Sequence, residues 1–477
     1  MMDMENTCNI GLVGLGLDTY WGQFPQLKSN LESYQKFIAA KMQRPGIAVV
    51  NTGIVDSVEA AKNAADELKQ SGVELVFLYI STYALSSTVL PIVRHLNVPV
   101  VLLNLQPTAQ LDYHSFNAQN DRGLMTGIWL ENCQACSLPE ISCVFARVGI
   151  RSHLVSGYLD DPAVWREIDD FLDAAKVKYH LRRSNIGILG QYYCGMLDVY
   201  SDLTALSGVF GCHFDLIEFC QLAKEHRSIV QEEIAAKRQE MADVFDISCE
   251  CSEDELNRAA KTSCALDKLV EHRALDAMAY YYESVEDCEY QNIVTSVIAG
   301  NTLLTGRHLP VAGECEVRNV IAMKILDLLE AGGSFSELYL ADYKDDIVFW
   351  GHDGPAHFSI AEGRTGLVPV PVYHGKPGKG LSIQMTVRHG ACTLLAVVQG
   401  ANSEISLLVA EGESVPGEVL QIGNTNSRYK FPLPVKEFLK AWCAAAPSHH
   451  CAIGVGHVAE KIEKLAALYN IKVIRVC

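Results

Sequence analysis

Along the first third of the chain, continuous apolar runs alternate with segments of helical period. "NIGLVGL", "GIAVVNTG", "VELVFLYIST" and "VPVVLLNLQ" are the apolar runs; "QLKSNLESYQKFIAAKM" and "SVEAAKNAADELKQSG" stand between them. The second of these opens on a Ser that can cap a helix and ends at a Gly that can stop one. Apolar strands separated by helices predict a parallel sheet covered on both faces. A similar unit starts near "RRSNIGILGQ". It runs on through "HFDLIEFC", a long helical stretch from about Ser228 to Arg258, and the strand "LDAMAYYYE". From about Asp346 to Lys430 the pattern changes to short alternating runs rich in Gly, Pro, Val and Thr, such as "LSIQMTVRHG" and "CTLLAVVQG". These predict antiparallel β structure. A helix, "GHVAEKIEKLAALYN", and a strand, "IKVIRV", close the chain. The expected class is α/β: two doubly wound parallel-sheet domains, 1–182 and 183–335, followed by a C-terminal β-rich (α+β) domain, 336–477.

Composition narrows the partners. Of 477 residues, 49% are hydrophobic and 20% charged, an ordinary globular profile. Basic residues number 39 against 57 acidic, a net charge of −18. So acidic a chain is repelled by nucleic acid and anionic membranes, so neither is an expected partner. The N-terminal "MMDMENTCNIGLVGLGLD" has acids where a secretory signal needs a basic region, and no apolar stretch reaches bilayer length. A cytoplasmic location is expected. The 16 cysteines are scattered; the Cys133–Cys136 and Cys249–Cys251 pairs are too far apart to read as one zinc site, so buried thiols are expected.

"GLVGLGLDTYWG" is a partial dinucleotide fingerprint, but its third Gly position is Thr19, and the next strand has no acidic residue at its end. The segment reads as a strand-to-loop turn. Loops at the carboxyl ends of parallel strands line ligand crevices, which makes Asp18 and Tyr20 candidate substrate contacts.

"LPVAGECEVRN" places Glu314 and Glu316 on a strand-to-helix turn, ahead of an apolar stripe of Val317, Val320, Ile321, Ile325, Leu328 and Leu329. Taken alone, the pair suits the positive end of a helix dipole. Two later segments widen the possibilities. "YLADYKDDIVFWGHDGPAHF" carries Asp342, Asp345, Asp346, His352, Asp353 and His357, and "AAAPSHHCAIGVGH" carries His449, His450 and His457. Carboxylate with imidazole is the ligand mix of Mn²⁺, Fe²⁺, Co²⁺ or Zn²⁺, and a carboxylate-rich set leans towards Mn²⁺.

At these residues the chain resembles the L-arabinose and L-fucose isomerase family. "VAGECEVRNV" matches the segment with the family's metal-binding and catalytic Glu, here Glu314. "APSHH" matches the segment with a metal-ligating His, here His450, with His449 beside it as a substrate contact. Where arabinose isomerases carry Glu-Asp-Tyr, this chain has Ala341-Asp342-Tyr343, and the Ala-Asp pair matches the fucose isomerases. The resemblance thus implies Asp342 as the second catalytic carboxylate and His352 as a further ligand. It also implies a substrate contact at Met196, in "YYCGMLDVYSDLTAL". Glu316 and Tyr343 would be contacts to the ligands or substrate.

What the resemblance implies is an aldose–ketose isomerase acting on an open-chain sugar through an ene-diol. The cofactor would be Mn²⁺, or Co²⁺, Fe²⁺ or Mg²⁺ in its place, and the assembly a trimer or hexamer. Carboxylates would move the proton between C2 and C1 while the cation holds the enediolate charge. A sugar-binding or sensor protein without turnover, and a related epimerase or lyase on a modified sugar, stay open.

Overall fold

The structure, a computed structural model, describes residues 7–94, 96–282, 290–370, 372–373, 376–377 and 380–477. Among the sequence expectations, Glu283 at the end of "LDAMAYYYE" and part of the 346–430 stretch lie outside these residues. The chain divides into two compact units, one ending at Tyr179 and the other beginning at His180.

The first unit is a five-stranded sheet in the order β2-β1-β3-β4-β5, parallel throughout. Its strands are β1 (Cys8–Leu15), β2 (Ile47–Val55), β3 (Leu75–Ile80), β4 (Val100–Gln106) and β5 (Ser152–Tyr158). Every residue of β3 is buried, as a central strand covered on both faces requires. Helix α1 (Leu27–Met42) turns Leu31, Ile38 and Met42 inward. Helix α2 (Val58–Gln70) starts where the sequence predicts, with the Ser57 hydroxyl accepting the Ala60 N–H.

The second unit opens with another parallel sheet. Its order is β10-β9-β6-β7, made of β6 (Asn185–Gly190), β7 (His213–Ile217), β9 (Ala277–Tyr281) and β10 (Val311–Ala312). The expected helix from Ser228 to Arg258 is corrected: it is two helices, α3 (Gln231–Val244) and α4 (Glu253–Arg273). Between them β8 (Phe245–Ile247) pairs in parallel with Thr365–Leu367, and Phe245 is buried. A distant partner strand overrides the local helical pattern, and Ser252 caps the second helix on Glu255 N–H.

The β-rich part holds β11 (Gly332–Asp342), β12 (Ile347–His352), β13 (Thr365–Pro369), β14 (Val372–Tyr373), β15 (Lys376–Pro377) and β16 (Leu381–Gln384). It continues with β17 (Gly390–Gln399), β18 (Ile405–Val415), β19 (Thr425–Lys430), β20 (His450–Val455) and β21 (Lys472–Arg475). The main sheet runs β17-β20-β11-β12-β19-β18-β21, and a further β17–β18 pairing closes it into a ring with β21 outside. Helix α5 (Val317–Leu328) follows the Glu314–Glu316 turn, as expected. It is buried on every side rather than along one stripe, so Arg318, Asn319, Lys324 and Asp327 are buried too. Among the described residues, no helix is long and apolar enough to cross a membrane.

Helix α5 supports everything around it. Ile321→Ala is expected to lower stability by about 2–5 kcal/mol, the usual cost of emptying a buried aliphatic position. The shift in the thermal unfolding of the second unit checks this.

Candidate active site

The turn between β10 and α5 begins at Gly313, where a Cβ would lie 2.9 Å from the Phe335 ring. Only glycine lets the turn pass so close. Glu314 and Cys315 then both take positive φ, 54° and 59°. Backbone bonds hold them there: Cys315 N–H to Tyr280 O at 3.0 Å, and Glu316 N–H to Gly313 O at 3.0 Å. The turn sends the Glu314 carboxylate towards three imidazoles. Its Oε1 lies 3.9 Å from His352 Nε2, and its Oε2 lies 3.4 Å from both His449 Nε2 and His450 Nε2.

β11, β12 and β20 supply the rest. Glu337 on β11 is directly opposite His450 on β20 and Gly351 on β12. Ligand atoms of Glu337, His352 and His450 lie within 4.8 Å of one another, as do those of Glu314, His449 and His450. The two triads share His450, so five side chains surround one place. Phe335, fully buried, packs against both ligand-type rings, with centroids 4.3 Å from His352 and 4.4 Å from His450. It sets their orientation.

Burial makes these polar groups consequential. Neither ring nitrogen of His450 has a hydrogen-bond partner, although the side chain is 0% exposed. A buried imidazole without partners is costly unless something else occupies its lone pair. Glu316 does not cap α5; it is buried, with Arg318 Nε 3.3 Å from Oε1 and His450 Nδ1 3.8 Å from Oε2. That is the position of a carboxylate that steadies a ligating imidazole from behind. Burial pushes the Glu337 carboxyl up, and nearby Glu314 adds to the shift, against the pull of His450 and His449. Gly354 N–H donates to His352 Nδ1 at 2.8 Å, which puts that ring's proton on Nε2, facing Glu314.

His449 is held by Asp198, whose Oδ2 accepts from both the Nδ1–H, at 2.6 Å, and the backbone N–H, at 3.0 Å. Burial works to lower the His449 pKa, but Glu314 and Asp198 outweigh it and raise it to about 9. Arg318 in turn donates to Asp198 O. Acid, imidazole and carboxylate set form a donor environment of oxygen and nitrogen ligands that fits a divalent cation such as Mn²⁺, Co²⁺, Fe²⁺ or Zn²⁺.

The sequence candidates fall into four groups. Glu314, His352, His449 and His450 are brought together, with Glu316 behind them. Met196 sits half-buried in the loop after β6, two residues before Asp198. Asp342 and Tyr343 lie outside this cluster. Asp342 is five residues beyond Glu337 on β11, about 16 Å along a strand. There its carboxylate accepts the N–H groups of Lys344 and Asp345 and closes the β11–β12 turn. Tyr343 is 62% exposed in the same turn. Asp18 and Tyr20 belong to the first unit, just past the carboxyl end of β1, whereas every residue of the cluster belongs to the second. Sequence reasoning missed Glu337 and Asp198. The signal for Glu337 was a charge inside the apolar run "SFSELYL"; for Asp198 the residues alone offered none.

No protein-family model matches the chain. It is 23% identical, over 328 residues, to a sulfoquinovose isomerase of Alkalicoccus urumqiensis, a match covering 67% of this chain and 71% of that protein. The chain is thus related to a sugar isomerase, at a distance that leaves the sugar open. Among solved structures, a two-component system response regulator/GGDEF domain protein matches at 11% identity and a TM-score of 0.21, over 63% of this chain and 81% of that one. A Salmonella D-lactate dehydrogenase matches at 11% identity and a TM-score of 0.14, over 67% and 95%. Scores this low carry no weight for fold or function.

The Asp198–His449 pair makes one expectation. In metal-free protein, Asp198→Asn should move the His449 pKa from about 9 down towards the ordinary histidine value, read by NMR titration. Because the folded value is the raised one, the pair's stabilising effect is complete below the ordinary histidine pKa. It is lost as pH rises towards about 9.

Proposed function

We propose that the protein is a metal-dependent aldose–ketose isomerase that acts on an open-chain sugar through an ene-diol. The observation that carries this reading is the convergence of Glu314, Glu337, His352 and His450 around one place, where His450 is fully buried without a hydrogen-bond partner. The relationship to a sulfoquinovose isomerase supports it independently.

Glu314, Glu337 and His450 are the proposed ligands. His352 is the fourth, through Nε2, once its ring gives up the Gly354 N–H. Glu337 takes the role first read into Asp342. A divalent ion held there, Mn²⁺ or a close relative, supplies a positive charge for the sugar's carbonyl and for the enediolate oxygens. The chain's own groups move the protons. Glu314 and Glu337 both face His449 Nε2, at 3.4 Å and 4.0 Å, so one of the two carboxylates can take the C2 proton and return it to C1. His449, oriented by Asp198, presents Nε2 to the same space and can exchange a proton with a sugar hydroxyl. Tyr280, Tyr281 and Val297 line the cavity beside Glu314 and His352 and offer apolar surface to the sugar's carbon face. The motif resemblance further implies a trimer or hexamer, which sedimentation velocity tests.

The deciding experiment is a screen of pentoses, hexoses, deoxysugars and sulfoquinovose with Mn²⁺ present, read by product NMR with C2-deuterated substrate. Aldose–ketose conversion that EDTA abolishes and Mn²⁺ restores is the expected result. Metal-independent sugar binding without loss of C2 deuterium would replace the proposal with a sugar-binding role. An epimer or cleavage product would replace it with another enediolate reaction.

A second experiment separates the carboxylates. Glu337→Gln should reduce kcat by roughly 10²–10⁴-fold, as loss of a general acid/base does, while Asp342→Asn leaves kcat near that of the wild type. Equal loss in both variants would return Asp342 to the site.

A further inference from the structure

A second group of ligand-type side chains lies at the other end of α5. It comprises His308, after the helix Ile298–Gly306; Asp327, in the last turn of α5; and His357, in the loop after β12. Their ligand atoms all lie within 4.8 Å of one another. Asp327 Oδ1 is the shared atom, 2.8 Å from His308 Nδ1 and 3.6 Å from His357 Nε2.

Three features distinguish this group from an ordinary ion pair. His357 is 0% exposed, yet its Nε2 has no hydrogen-bond partner and is directed at Asp327 beyond bonding distance. Its other nitrogen, Nδ1, is 2.9 Å from Ser359 Oγ; with the hydroxyl accepting, the proton sits on Nδ1 and the Nε2 lone pair is free for a ligand. The two Asp327 oxygens are also divided. Lys324 Nζ is 3.8 Å from Oδ2 and bonds His308 O, which leaves Oδ1 to the imidazoles. The site also has an entrance, because the His308 side chain is 73% exposed.

We infer that His308, Asp327 and His357 form a second divalent-cation site, of the kind that takes Zn²⁺ or Co²⁺. Two imidazoles and one carboxylate are a common three-ligand set for such ions, with water in the fourth position. Donors about 2.0–2.2 Å from a tetrahedral Zn²⁺ stand about 3.3 Å from one another, and the two distances to Oδ1 bracket that value. This inference does not rest on the proposed isomerase activity.

The test counts ions. Protein stripped with a chelator, reloaded with Zn²⁺ or Co²⁺ and desalted, is analysed for metal per chain, with the Co²⁺ absorption spectrum as a second readout. Two ions per chain are expected for the wild type. His308→Gln, at an exposed position where the fold is not at risk, should lose one ion and its part of the Co²⁺ spectrum. Glu314→Gln should lose the other and retain the His308-dependent one. An ion count and spectrum unchanged by both His308→Gln and Asp327→Asn would overturn the second site. Counts unchanged by Glu314→Gln would instead count against the isomerase centre and leave this site standing.

Discussion

Two consecutive non-glycine residues with positive φ, Glu314 and Cys315, are the constraint on which the candidate centre depends. Such conformations cost roughly 1–3 kcal/mol each and persist only where surrounding structure fixes them. Here the fixing is specific. Tyr280 O takes the Cys315 N–H, Cys315 is fully buried, and the very next segment is a helix closed in on all sides. An extended turn would carry Glu314 along the β10 direction. The left-handed pair instead swings it across to β12 and β20, where the histidines are.

Electrostatics then explains the composition of the shell. Glu314, Glu316 and Glu337 crowd buried or half-buried negative charge together, and Arg318 is the fixed cation that faces Glu316. The remaining charge has two answers. A proton can be taken up: burial raises the Glu337 pKa, and Glu314 and Asp198 raise that of His449. A divalent cation can take its place, displacing a proton from each ligand that carries one. The same geometry can thus accommodate either a proton or a divalent cation.

The sheets were legible in the sequence because burial on both faces leaves continuous apolar runs, and the Ser57 cap because its chemistry is local. The Glu314–Glu316 turn and His450 could be read for a similar reason: each lies within a short contiguous motif. Glu337 could not be read that way. β11 carries an irregularity in register between Leu338 and Leu340, so counting along the strand from the Ala-Asp-Tyr motif loses the face on which a side chain lies. The Asp342 assignment came from that motif, and the turn chemistry that occupies Asp342 is visible only in three dimensions. Asp198 and the break at Phe245–Ile247 share one difficulty: their partners, His449 and Thr365–Leu367, are more than a hundred residues away. Local pattern reports burial and period, not which distant segment will arrive.

The burial of α5 on every side ties its two ends into one structural problem. About 18 Å of helix separates the Glu316 end from the Leu328 end. A helix packed all round cannot tilt freely to suit one end without disturbing the other. At one end Arg318 and Glu316 back the isomerase-type cluster; at the other Lys324 and Asp327 face His308 and His357. His357 is also only five residues beyond His352, in the loop that follows β12, with its N–H donated to Ser334 on β11. A cation at the second cluster would therefore clamp both the helix that follows Glu314 and the loop that follows His352. Its contribution would be to hold two ligand-bearing segments in register, a task that hydrogen bonds alone leave to a stretched contact between His357 and Asp327.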